Sequence, residues 1–240
     1  MMLDKLYIVM PAYNEEANIV HTLEEWYPVI EKYNENGESR LIVVDDGSKD
    51  NTLKLLQGYA QTHPLLIPLT KSNSGHGPTV MFAYQYALKN GATWIFQTDS
   101  DGQTNPKEFE EFWNNRKQFD AILGYRKHRG DGIFRKFVEK VVCLLIRFYF
   151  GVKVLDANAP FRLMRAEKVK EYVSKLRDDF NIPNIMMTTY FVYYHDKVSF
   201  REISFRPRVN GKNSINIKKI IKIGKNAMKD FKMLKKEMEV

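Results

Sequence analysis

Short apolar runs alternate with stretches in which apolar residues recur every three or four positions. Leu6-Tyr7-Ile8-Val9-Met10, ended by Pro11, reads as a buried strand. Ile19, Leu23, Tyr27 and Ile30 then repeat at helical spacing, with Asn14 as the expected N-cap and Asn36-Gly37 as the stop. Leu41–Val44 is a second strand, and the next helix carries Leu53, Leu56 and Ala60. Leu65–Leu69 is a third strand, followed by a helix with Val80, Tyr84 and Leu88 that Asn90-Gly91 closes. Trp94–Thr98 gives a fourth strand, 106–117 a helix and Ala121–Gly124 a fifth strand. This alternation, with strands apolar throughout, predicts an α/β fold with a mostly parallel sheet covered by helices on both faces.

In such sheets ligands bind beyond the carboxyl ends of the strands. The polar motifs all fall there: Pro11–Glu15, Asp45–Ser48, Asn73–Gly77 and Asp99–Gln103. Asp99 and Asp101, two residues apart, suit a hard cation such as Mg2+ or Mn2+, which prefers oxygen ligands and bridges to phosphates. Taken alone the pair fits a polar turn before a helix equally well. Its coincidence with three more motifs at neighbouring strand ends favours a site. Neither G-x-G-x-x-G after the first strand nor G-x-x-x-x-G-K-[ST] anywhere is present, which argues against a classical NAD enzyme or a P-loop ATPase.

Composition narrows the setting. The 240 residues suffice for one large domain, and 44% apolar residues with 15 Phe, 13 Tyr and 3 Trp indicate a folded core. The lone Cys143 lies in an apolar run, so it reads as packing, excludes an internal disulfide and fits a reducing cytoplasm. The first residues do not form a secretory signal, and no apolar run reaches the roughly 20 residues that a membrane-spanning helix needs. The net charge is +8, and residues 215–240 contribute most of it, with eight lysines against three acids.

The motifs, with Gly124-Tyr125-Arg126, Asp156-Ala157-Asn158-Ala159-Pro160-Phe161-Arg162 and Phe205–Gly211 further on, resemble those of glycosyltransferase family 2. The closest likeness is to its dolichyl-phosphate mannosyltransferase and bactoprenol glucosyltransferase branch. The resemblance runs from about Leu6 to Ser214 and implies a GT-A (Rossmann-like) domain over 1–214, with a basic amphipathic helix over 215–240. It implies a nucleotide-diphosphate sugar donor, with Pro11, Tyr13, Glu15 and Asp46 at the base and ribose and Asp45, Ser48, Asn73 and Gly75 in the same motifs. Asp99, Asp101 and Gln103 would carry the metal that bridges the donor diphosphate. A divalent ion and arginines stabilise a departing diphosphate without proton transfer, and Arg126, Arg206 and Arg208 are the candidates. Asp156 is the candidate catalytic or acceptor-positioning carboxylate, and Arg162, Lys212 and Ser214 are the expected acceptor contacts. His76 is placed to touch the donor phosphates. The chain departs from the family where Ala159-Pro160 replaces a common Ser-Gly, and where Lys212 precedes Ser214 with one extra residue between.

The acceptor decides the chemistry. A sugar hydroxyl requires a carboxylate base, whereas a polyprenyl phosphate is already anionic. The preferred expectation is metal-dependent, inverting transfer of a hexose to a polyprenyl phosphate at the cytoplasmic face of a membrane. The alternatives are transfer to a hydroxyl of a surface glycan, a nucleotidyltransferase releasing pyrophosphate, and a binding module that has lost catalysis. Ile133–Phe150 is apolar but interrupted by Arg135, Lys136, Lys140 and Arg147, so it either lies in a membrane interface or packs on the sheet. Ile217, Ile220, Ile221, Met228, Phe231 and Leu234 form one face of the last helix, suited to an anionic lipid surface or to core packing. No nucleic-acid module accompanies its lysines.

Overall fold

A computed structural model describes residues 4–35, 37–127, 133–207 and 217–238. Strands β1 (Leu6–Ala12), β2 (Arg40–Asp45), β3 (Leu66–Thr70), β4 (Trp94–Thr98), β5 (Ala121–Tyr125), β6 (Phe161–Arg165) and β7 (Val198–Glu202) form one sheet. Its order is β3-β2-β1-β4-β6-β5-β7. The first four strands are mutually parallel, β6 runs antiparallel to both β4 and β5, and β5 pairs in parallel with β7.

Each central strand is apolar on both faces because both are covered. Leu6, Ile8 and Met10 share one core with Leu41, Val43, Phe96, Ile122 and Leu163. Against them pack α1 (Ile19–Lys32), α2 (Thr52–Ala60) and α4 (Phe109–Asn115) through Trp26, Leu56 and Phe109. The alternate residues Tyr7, Val9, Ile42, Val44 and Ile95 face a second core. That core is closed by α3 (His76–Lys89), α5 (Ile133–Phe150), α6 (Ala166–Val173), α7 (Pro183–Tyr193) and α8 (Ile217–Met238). With side chains alternating along a strand, one slip of register would exchange the two cores.

Three local details depart from the sequence pattern. The first helix starts at Ile19, not next to Asn14, which instead has a left-handed φ of 53°. There the Asn14 amide donates to the Ser48 hydroxyl (2.9 Å) and its side chain accepts from the Lys49 amide (2.8 Å), so it ties two motifs together and caps nothing. That helix also ends at Lys32, ahead of Asn36-Gly37. The expected 106–117 helix is a 3-10 turn, Pro106–Glu108, then Phe109–Asn115, then a second 3-10 turn, with Asn105 capping the first through the Lys107 amide (3.2 Å).

The last helix is no detached appendage. Phe231 and Leu234 are buried, and Phe231 lies edge-on to Tyr149 and Phe150 of α5 with ring centroids 5.9 and 5.4 Å away.

Candidate functional site

The loops that leave β1, β2, β3, β4 and β5 converge on one edge of the sheet. Asp45 and Asp46 organise the first group. The buried Asp45 carboxylate accepts from the Ser48 amide and from the Thr70 hydroxyl (2.9 Å). Asp46, also buried, accepts from the amides of Ser74 (2.9 Å) and Gly75 (2.8 Å) and pairs with Lys71, while its backbone carbonyl accepts from the Asn73 side chain. These bonds fix the entrance of α3. Gly47 (φ +67°) permits the turn, since an added Cβ would lie 2.9 Å from the Asn73 nitrogen. Pro11 and Glu15 are buried and Tyr13 is half-buried. Glu15 accepts from the Asn18 side chain (2.8 Å), and its own amide donates to Thr52 (2.8 Å).

The metal-binding candidates lie alongside. The Ser100 hydroxyl donates to the Pro11 carbonyl (2.7 Å), which joins the D-x-D loop to the first motif. Asp101 accepts from the Gln103 amide (3.1 Å), and Asp99 accepts from the side chain of Gln97 (3.3 Å). The Gln103 side-chain nitrogen donates to the Arg206 carbonyl (2.8 Å), leaving its amide oxygen as the acceptor end. Two half-buried carboxylates and an amide oxygen are a hard donor set that fits Mg2+ or Mn2+. Among the described residues no three His, Cys, Asp or Glu are grouped to hold a metal. His76 is the first residue of α3, beside the same loops. Desolvation by the surrounding walls lowers its pKa, while Asp101 and Asp46 oppose that change.

A third group carries Asp156 and Arg126. The Asp156 carboxylate accepts from Arg126 Nε (2.8 Å) and from its terminal nitrogen (2.9 Å), a bidentate pair with both side chains about 95% buried. The amides of Arg126 and Asn158 add two more bonds to the same carboxylate, and Phe205 lies under the guanidinium at 5.0 Å. Glu139 of α5 completes the group. Its Oε1 accepts from the Ala157 amide (2.8 Å) and its Oε2 lies 3.7 Å from Arg126. Burial, and next the Asp156 charge, push the Glu139 carboxyl up to about 7 against the pull of Arg126.

The remaining candidates are placed differently from one another. Arg206 directs its guanidinium to Glu25 (2.7 Å) and Asn105 (3.0 Å), and its backbone pairs with Gln103. Arg162 is almost fully buried on β6, donating to the Asn184 carbonyl (2.8 Å) and to the Thr188 hydroxyl. Arg208, Lys212 and Ser214 lie outside the described residues. Glu139 and Gln97 were missed in the sequence, although each left a trace: an acid inside the apolar run Val138–Leu145 and an amide at the end of an apolar strand.

A β-sheet of this order, crossed by a single antiparallel strand beyond the D-x-D loop, defines the GT-A class of α/β fold. The pattern of Glycosyl transferase family 2 matches residues 7–173, and the chain belongs to that family. It is 30% identical over 171 residues to dodecaprenyl-phosphate galacturonate synthase of Rhizobium johnstonii, a match covering 70% of this chain and 49% of the relative. With dolichyl-phosphate beta-glucosyltransferase ALG5C of Trichomonas vaginalis it shares 37% identity over 178 residues, 68% of this chain and 52% of the relative. The chain thus spans about half the length of these curated relatives. Its fold superposes on glucosyl-3-phosphoglycerate synthase of Mycobacterium tuberculosis, solved with Mn2+ and UDP-glucose, with a TM-score of 0.63 at 17% identity, covering 87% of this chain and 72% of the other.

Proposed function

We propose that the protein transfers a hexose from a nucleoside-diphosphate sugar to a polyprenyl phosphate, with inversion and with Mg2+ or Mn2+, while bound peripherally at the cytoplasmic face of a membrane. The names of the two curated relatives, each a transferase acting on a polyprenyl phosphate, support the acceptor class. The observation that carries the reading is the double role of α5. Its inner side supplies Glu139 to the Arg126–Asp156 pair. Its outer side exposes Phe137, Val141, Leu144 and Phe148, one stripe at helical spacing, flanked by exposed Lys136, Lys140 and Arg147. A lipid-borne anion seated by such a stripe would bring its phosphate towards Arg126.

The metal, held by Asp99, Asp101 and Gln103, would offset the charge that develops on the leaving diphosphate. Asp46, Asn73 and Gly75 shape the donor end of the recess, with Pro11, Tyr13, Glu15, Asp45 and Ser48. An acceptor phosphate oxygen forms the new bond to the anomeric carbon as the bond to the diphosphate breaks, and the electron pair leaves with the nucleoside diphosphate. No proton need be removed, which suits an Asp156 whose two oxygens already face Arg126. Asp156 then positions the arginine and does not act as a base. We assign Arg206 the bracing of the metal loop and Arg162 the support of the Asp156 loop from within the core, with Arg208, Lys212 and Ser214 left as acceptor or phosphate contacts.

A panel of nucleotide sugars with Mn2+, with and without a polyprenyl phosphate, tests this. Release of a nucleoside diphosphate that requires both metal and polyprenyl phosphate is the expected result. Release stimulated only by a hydroxyl-bearing glycan, or formation of pyrophosphate from an NTP and a sugar phosphate, rejects it.

A further inference from the structure

Gln97 is a polar side chain at a position where a doubly covered strand ordinarily carries an apolar one. It is fully buried in β4, on the same strand face as Ile95. Arg162, buried as well, stands in register with it across the β4–β6 pair, so the two side chains are direct neighbours on one face of the sheet. The terminal nitrogens of Arg162 donate to the Asn184 carbonyl (2.8 Å) and to the Thr188 hydroxyl. Its Nε and Gln97 Oε1, a donor and an acceptor, are buried with no hydrogen-bond partner among the described residues. The other end of the amide, Nε2, donates to Asp99 Oδ1 (3.3 Å). We propose that Gln97 is a positioning residue for the metal: from within the core it turns the Asp99 carboxylate towards the ion, and Arg162 holds the amide in that orientation. The proposal rests on the reading of Asp99 as a metal ligand.

The backbone of the loop is fixed by other bonds. The hydroxyls of Thr98 and Thr104, both buried, meet at 2.8 Å, and the Ser100 hydroxyl holds the Pro11 carbonyl (2.7 Å). These bonds set the path of the chain through Asp99 and leave the rotation of its side chain to the groups that touch the carboxylate. Gln97 reaches it from the strand, among its other partners. A hydrogen bond to a ligating carboxylate aims the oxygen at the ion, and loss of such a partner weakens metal binding almost as loss of a ligand does. A buried amide destabilises a core unless it is hydrogen-bonded, and an apolar residue would avoid that cost. The bond to Asp99 is what an apolar residue could not supply. Arg162 gives the amide its direction: the guanidinium draws the oxygen end, directly or through one water, and the nitrogen end is left for Asp99. Tyr84 of α3 belongs to the same buried cluster, where its phenol feels the charges of both Arg162 and Asp99.

Mn2+ alone serves as the probe, its binding to the full chain followed by the electron paramagnetic resonance of the free ion. Gln97→Met, which keeps the length of the side chain and removes both polar ends, and Gln97→Leu should each raise the Mn2+ Kd about 10–100-fold. Ile95→Ala is the control for a loosened strand, since it opens a cavity on the same face of β4. It should lower the unfolding temperature and leave the Mn2+ Kd unchanged. An unchanged Kd in a folded Gln97 variant overturns the proposal, and so does an equal loss in Ile95→Ala. Arg162→Lys keeps the charge and removes Nε. It should weaken Mn2+ binding in the wild-type background and add nothing to Gln97→Met, whereas full additivity overturns the role given to Arg162. Asp101→Ala separates the proposal from the reading on which it rests. A Kd equal to that of wild type, or no binding by wild type, rejects the metal site itself; loss in Asp101→Ala with none in the Gln97 variants rejects Gln97 alone.

Discussion

Asp101 accepts a bond from the amide of Gln103 two residues on, which closes the D-x-D turn. Asp101→Ala is expected to lower metal-dependent diphosphate release by on the order of 100-fold, with the far-UV circular dichroism and unfolding temperature close to wild type. A folded variant with full activity would remove the metal assignment. A different kind of residue governs the entrance of α3. A Cβ at Gly77 would lie 2.4 Å from the Asn181 carbonyl oxygen and 2.5 Å from that of Phe180. Because both neighbours are backbone, Gly77→Ala should destabilise the fold by about 1–3 kcal/mol, measured by urea denaturation. The motif residues were legible because their polar types interrupt apolar runs at strand ends. Their partners were not: nothing in the sequence says that Asp46 is met by Ser74 and Gly75, or that Arg206 turns to Glu25.

The two amphipathic helices separate at the level of elements. Periodicity alone gave both a membrane face and a core-packed face as options. In the fold, α8 turns Phe231 and Leu234 inwards while α5 leaves Phe137, Leu144 and Phe148 outside, with Phe148 78% exposed. Substitution of Phe137, Leu144 and Phe148 together by serine should abolish sedimentation with anionic vesicles and leave the unfolding temperature unchanged. Phe231→Ala should act in the opposite sense, costing about 3–5 kcal/mol of stability with vesicle binding retained by any folded fraction. Strands β6 and β7 were invisible to the pattern for a physical reason. The apolar run of β6 is broken by Arg162 and Arg165 although the strand is buried, and β7 lies at the sheet edge, half-exposed, so neither shows the apolar run of a doubly covered strand.

At the scale of the molecule the cores and the site depend on one another. Truncation after Ser214 removes Phe231 and Leu234 from the core that also holds Ile146 and Phe150 of α5, so it should lower the unfolding temperature as well as weaken vesicle binding. A truncated chain as stable as the full one would contradict that coupling. Among the described residues no helix is long and apolar enough to cross a membrane. The sequence by itself determined the alternation of strands and helices, the two-sided sheet and the D-x-D loop at a strand end, because local periodicity and turn chemistry are short-range properties that each segment carries alone. Only the tertiary structure decided that Arg126 grips Asp156, that Glu139 joins them from α5, and that Phe231 and Leu234 of α8 are buried while Phe137, Leu144 and Phe148 of α5 are exposed. Those are pairings across 13 to 30 residues of chain, selected by which buried charge finds a partner once the sheet has closed.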